Sequence, residues 1–107
     1  MIYYRNLFVG KSIKDPEAKK RALESGDWKD NCFLLLYVPD PDNAHPVEIC
    51  RSLVLKQPYY RENPPVVLGI ASDKDEAVEL LRELVEEAVR ETGKPDVRAY
   101  LFPDGTV

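Results

Sequence analysis

The chain has 107 residues, 44% hydrophobic and 32% charged, with a net charge of −4. That is one domain's worth of chain, enough to bury a core without metals or disulfides. It excludes a helical membrane span, because no run approaches the roughly 20 apolar residues needed, and the acidic balance disfavours nucleic acid as a partner.

Met1 leads straight into Ile-Tyr-Tyr-Arg without the apolar core of a secretory leader, so a cytoplasmic protein is expected. Ile2 to Val9 reads as a first strand of aromatic and branched residues that stops at Gly10. Asp15-Pro16 marks a helix start, since proline is tolerated where its missing N–H is not needed. This helix runs to about Glu24 and stops at Gly26. Its apolar face, Ala18, Ala22 and Leu23, is thin, so it is expected to lie loosely on the domain. Trp28 follows in a polar loop and is expected to fold back over the core edge.

Asn31 to Val38 (NCFLLLYV) is a central-strand candidate. Pro39 to Pro46 is a turn cluster by composition. Val47 to about Leu55 resumes strand-like character, antiparallel to the previous strand, with a bulge or an end at Arg51. Ser52 is alternatively the cap of a short helix limited by Pro58. Lys56 to Pro65 reads as a proline-bounded loop. Cys32 and Cys50 each adjoin an apolar run and are expected as buried free thiols in neighbouring strands.

The last third reads as strand, helix, strand. Val66 to Ala71 is almost wholly apolar, which suits a strand covered on both faces. Ser72 to Thr92 has a capping serine, acids in its first turn and an apolar stripe of Ala77, Leu81, Leu84, Val85 and Ala88, widened by Val78 and Val89. Asp75 stands near the place of the capping-box acid. Arg82–Glu86 and Glu86–Arg90 are spaced to pair, and Gly93 with Pro95 ends the helix. Val97 to Phe102 is expected as a strand beside 66–71, joined by a right-handed crossover.

These elements predict a two-layer α/β (α+β) sandwich: a mixed sheet of four or five strands with both helices on one face. A ferredoxin-like plan with an added strand is nearest, and a small doubly wound sheet is the alternative. The chain forms a single domain, 1–107.

Gly10-Lys11-Ser12 has the ending of a phosphate-binding loop, but Arg5 stands where that motif wants a glycine. Gly69 to Ser72 reaches a helix N-terminus that could hold an anion, yet Asp73, Asp75 and Glu76 already occupy that field. Neither cysteine begins the loop of the cysteine phosphatases. His45, the lone histidine, sits in a turn and reads as a surface residue. Asp40, Asp42 and His45 lack the spacing of a calcium loop and are ordinary turn residues. No catalytic residue, metal site or cofactor is expected.

The nominated segment is 56–63. Tyr59 and Tyr60, flanked by Lys56 and Arg61, form a candidate recognition surface, because tyrosine and arginine are enriched in interfaces. The competing reading packs the rings under the sheet edge and leaves the charges in water. Lys19, Lys20 and Arg21, together with these tyrosines, make nucleic acid a weaker alternative. Charge is uneven: residues 1–24 carry six bases and three acids, whereas 65–107 carry five bases and ten acids. Such asymmetry fits complementary surfaces in a self-associated form, although solvated faces explain it as well.

Read through YYRNLFVG, LKQPYYRENPPVVLGIA and DEAVELLRELVEEAVRETG, the chain resembles a family of short uncharacterised proteins of anaerobic Gram-positive bacteria. The resemblance implies a compact bacterial cytosolic domain and carries no activity or site. The functional expectation is a small binding or protein-interaction module, with a homodimer as its candidate assembly. Its rival is a small enzyme at a subunit interface using Tyr60, Arg61, Lys56 or Cys50.

Overall fold

A computed structural model of the chain describes residues 2–26, 32–38 and 46–103. Its elements are β1 (Ile2–Val9), α1 (Pro16–Ser25), β2 (Phe33–Tyr37), β3 (Val47–Arg51), a 3₁₀ turn (Ser52–Lys56), α2 (Pro58–Glu62), β4 (Val66–Ala71), α3 (Lys74–Thr92) and α4 (Val97–Leu101). Trp28, Asn31, Asp40, Asp42 and His45 lie outside the described residues.

The four strands form one open mixed sheet in the order β1-β4-β2-β3. β1 runs parallel to β4, and β2 is antiparallel to both β4 and β3. β2 and β4 occupy the centre because their sequences are apolar at consecutive positions, so both of their faces bury. Leu35, Tyr37, Val66 and Leu68 meet Ala77, Leu80, Leu84 and Ala88 of α3 on one face. Leu34, Leu36, Val67 and Ile70 meet Ile13, Leu23 and Leu55 on the other. Each fully buried leucine contributes roughly 1.5–3 kcal/mol relative to exposure.

The mixed-sheet α/β sandwich matches the expectation, but its finer plan differs. The two long helices take opposite faces, because Leu23, the only buried residue of α1, packs with the face that α3 does not cover. In this it is closer to the doubly wound alternative. The strand order also departs from the ferredoxin-like arrangement, and among the described residues the sheet has four strands.

The largest correction concerns 97–102. It is a helix, and β1 takes the place beside β4 that the crossover would have given it. The Asp96 carboxylate accepts a hydrogen bond from Ala99 N–H at 3.1 Å, which caps the turn. Val97 and Leu101, four apart, then point the same way and bury with α3 and Tyr4. The apolar stripe of α3 does lie over the sheet, through Ala77, Leu84 and Ala88 with Leu81 and Val85 partly buried, but Leu80 joins it and the expected flanking Val78 and Val89 are exposed, because the helix turns its centre towards Leu80.

Caps were legible to within a residue. Asp15 accepts from Ala18 N–H at 3.1 Å, and Gly26 and Gly93 close their helices at φ 75° and 77°. At α3 the cap is Asp73, accepting from Glu76 N–H at 2.8 Å, rather than Ser72, and the matching acid is Glu76 rather than Asp75. Arg82 reaches Glu86 at 3.0 Å as spaced, while Arg90 Nε lies 3.7 Å from Glu91. The strand after residue 47 ends at Arg51, and the expected loop 56–65 contains the single helical turn α2. The Ser52 hydroxyl, buried, accepts from Cys32 N–H at 3.1 Å instead of capping a helix.

Candidate functional site

The nominated tyrosines are presented by α2. Pro58 at its first position presets the backbone. Tyr60 N–H donates to Gln57 O at 3.0 Å and Asn63 N–H to Tyr59 O at 2.8 Å, while the Asn63 amide adds a second bond to Tyr59 O at 3.2 Å. Pro64 allows no further turn. On one turn, neighbouring residues diverge by about 100°. Tyr60 therefore points inward, against the cluster of Leu34, Leu36 and Ile70, while Tyr59 points out and is 59% exposed. Their rings meet edge to face, centroids 5.2 Å apart at 87°.

These rings wall a notch of about 380 Å³ completed by Tyr37 and Val38 at the end of β2 and by Asn63, Pro64 and Pro65. The Tyr60 hydroxyl is held above its ordinary range, first by burial and then by the nearby Glu48 carboxylate. It stays neutral at physiological pH. The site offers ring faces, proline rings and tyrosine hydroxyls.

Lys56 and Arg61 do not join this notch. They line a separate recess of about 280 Å³ against Leu23, Glu24, Ser25 and Gly26 at the end of α1, with Leu55. The four nominated residues thus divide between two sites. Asn63, Pro64 and Pro65 belong to the notch, although the sequence marks them only as loop. The signal for them was Pro64-Pro65 itself, a rigid apolar pair directly after an aromatic pair.

The carboxyl end of the parallel pair β1 and β4 is where open α/β sheets commonly bind ligands. Here the Gly10-Lys11-Ser12 turn meets the N-terminus of α3. The Ser12 hydroxyl oxygen lies 2.7 Å and 2.8 Å from the two Glu76 carboxylate oxygens and 2.6 Å from the Ser72 hydroxyl oxygen. Ser12 N–H donates to Glu76 at 3.2 Å and Ser72 N–H at 2.9 Å. These bonds, led by that of Ser72, hold the Glu76 carboxyl below the usual range. The carboxylate fills the position an anion would take, so the turn is a tie between β1 and α3. Beside it runs a cleft of about 380 Å³ floored by Val9 and Leu80 and rimmed by Lys11, Asp75, Glu79 and Glu83.

Neither cysteine forms a disulfide; Cys32 is buried and Cys50 half-buried, on neighbouring segments of the same face. Burial, then Glu48 and Cys32, pushes the Cys50 thiol up to about 11. Among the described residues no three His, Cys, Asp or Glu side chains converge on a point that would hold a metal ion, and no helix is long and apolar enough to cross a membrane. Compared with protein-family models, curated proteins and solved structures, the chain matches none.

Proposed function

We propose that the chain is a non-catalytic interaction module whose Tyr59–Tyr60 notch receives a short, extended, proline-bearing segment of a partner protein. The observation that carries this is Tyr59: a large ring 59% exposed yet pinned edge to face on a ring anchored in the core. A ring held still loses little freedom on binding, which is how tyrosine anchors a ligand cheaply in entropy. Proline suits the notch because it stacks on aromatic faces and leaves no backbone donor unsatisfied there. Glu48, near Tyr60, adds negative charge at the rim and favours a basic residue in the ligand. Two cysteines outside any disulfide suit a reducing, cytoplasmic setting.

The enzyme reading draws less support. Tyr60 and Arg61 face different recesses, and a thiol titrating near 11 is a poor nucleophile at neutral pH. The test is a titration of isotope-labelled protein with a proline-rich peptide ending in arginine, followed by amide shifts. Shifts confined to Tyr37, Val38 and 59–65, abolished in Tyr59→Ala with an unchanged circular dichroism spectrum, are expected. No shifts at millimolar peptide, or shifts centred elsewhere, would sink the reading.

A further inference from the structure

The sheet has two edges, and they are built differently. On β1, four residues stand between the positions matched to Val67 and Gly69, where β4 has one. The strand bulges outward there and exposes Arg5 and Asn6. A bulged, charged edge resists pairing with another chain. β3 pairs residue for residue with β2, without a bulge or an internal proline, and among the described residues no element pairs along its outer side.

The hydrogen-bond ladder says which groups β3 leaves open. Val38 N–H donates to Pro46 O at 2.8 Å and Ser52 N–H to Cys32 O at 2.7 Å. In an antiparallel ladder the bonded residues alternate, so 46, 48, 50 and 52 face β2. The N–H and C=O groups of Val47 and Ile49 and the N–H of Arg51 therefore point outward, while Arg51 C=O opens the 3₁₀ turn. On the α3 side of this edge the cover is thin. Phe33, Val47 and Ile49 are only partly buried. The flank of α3 opposite its acidic, β1-facing side carries Val78 and Val89, 45% and 44% exposed.

We propose that β3 pairs antiparallel with β3 of a second copy about a two-fold axis at Ile49, extending the sheet to eight strands. The register follows from the residues. A two-fold axis normal to the sheet keeps like faces together, so only residues whose side chains share a face can stand opposite. Centring on Ile49 puts Val47 against Arg51 of the mate and Ile49 against Ile49, and it forms about four backbone hydrogen bonds between open groups, with Val47 N–H facing the Arg51 C=O that also opens the mate's 3₁₀ turn. Centring on Glu48 would oppose two carboxylates, which is unfavourable. Centring on Cys50 would leave Val47 unmatched. In the chosen register no like charges are opposed, and the half-covered Val47 and Ile49 side chains of both copies pack together beneath α3. This interface is separate from the Tyr59 notch and does not rest on it.

The test uses the full chain in light scattering across a concentration series, with amide hydrogen exchange. The expected mass is twice 12.2 kDa. Amides of Val47, Ile49 and Arg51 should be protected in concentrated protein and lose protection on dilution. Those of Glu48 and Cys50 should stay protected throughout. Arg51→Pro is the variant of choice: φ −73° and ψ 146° already suit proline, and its N–H is not used by β2. It should fold and show at least a tenfold weaker dimer, whereas Tyr59→Ala leaves the mass unchanged. The proposal falls if the wild type is monomeric at high concentration with those three amides exchanging freely. It also falls if the dimer dissociates in Tyr59→Ala, or survives while those amides remain unprotected.

Discussion

The Glu76 side chain lies directly across the α-carbon of Gly10, so that a methyl group at Gly10 would overlap the carboxylate. Gly10 has no left-handed backbone to demand glycine. The residue is small because the carboxylate must pass over it to reach Ser12. Gly10→Ala is therefore expected to push Glu76 aside, break the tie between β1 and α3, and cost about 1–2 kcal/mol in urea unfolding. Glu76→Ala removes the same link from the other side. The double variant should cost little more than either single one, whereas simple addition of the two losses would mean that the residues act independently.

The same carboxylate gives the protein an acid sensitivity. Glu76 is held below the ordinary glutamate value of 4.5, chiefly by Ser72 N–H; burial opposes this as the next largest cause, and the two bonds from Ser12 add to the lowering. A carboxyl whose folded pKa is depressed stabilises fully above its unfolded pKa and loses that contribution as pH falls through the folded value. Glu76→Gln should accordingly be less stable than wild type near pH ~7 and approach it near pH ~3. A urea-midpoint gap of the same size at both pH values would show that the charge of Glu76 contributes nothing.

Much of this fold could be read from local signals, and the errors have one cause. Asp15-Pro16, Gly26, Gly93 and the apolar runs of β2 and β4 act through nearest neighbours, and all lie where expected. The 97–102 segment failed because Val97, Tyr100, Leu101 and Phe102 satisfy strand and helix patterns equally. The outcome depended on β1, almost a whole chain length away, taking the place beside β4. The division of Lys56 and Arg61 from the two tyrosines has the same origin. A single helical turn sends adjacent side chains different ways, and a segment read as loop cannot express that. The Gly10–Glu76 tie was invisible for a simpler reason: its members are 66 positions apart and each has a sufficient local explanation.

The thiols offer a probe of the face that α1 covers. Cys32 is buried among Leu34, Leu36 and Ile70, and Cys50 is pushed up to about 11 by burial first and by Glu48 second. Since the thiolate is the reactive species, both should react with an aromatic disulfide reagent at pH ~8 far more slowly than a free thiol, and both should react at once in urea. Rapid modification of Cys50 in the folded protein would mean that α1 and the 3₁₀ turn do not shield β3 as described.

The α4 turn is the element on which the sequence and the structure disagree most, and one residue decides between them. As a helix, 97–101 needs the Asp96 carboxylate to accept the Ala99 N–H at 3.1 Å. As a strand, it would need nothing from Asp96. Asp96→Ala should then cost about 1 kcal/mol. The loss should appear as faster amide exchange at Ala99 to Leu101 and as looser packing of Val97 and Leu101 against Leu84 and Ala88. Asp96→Asn, which keeps an acceptor, should recover most of the loss. If Asp96→Ala is neutral while Val97→Ala still costs the 1–3 kcal/mol of a buried deletion, the segment packs without its helical cap, and the crossover strand read from sequence regains its claim.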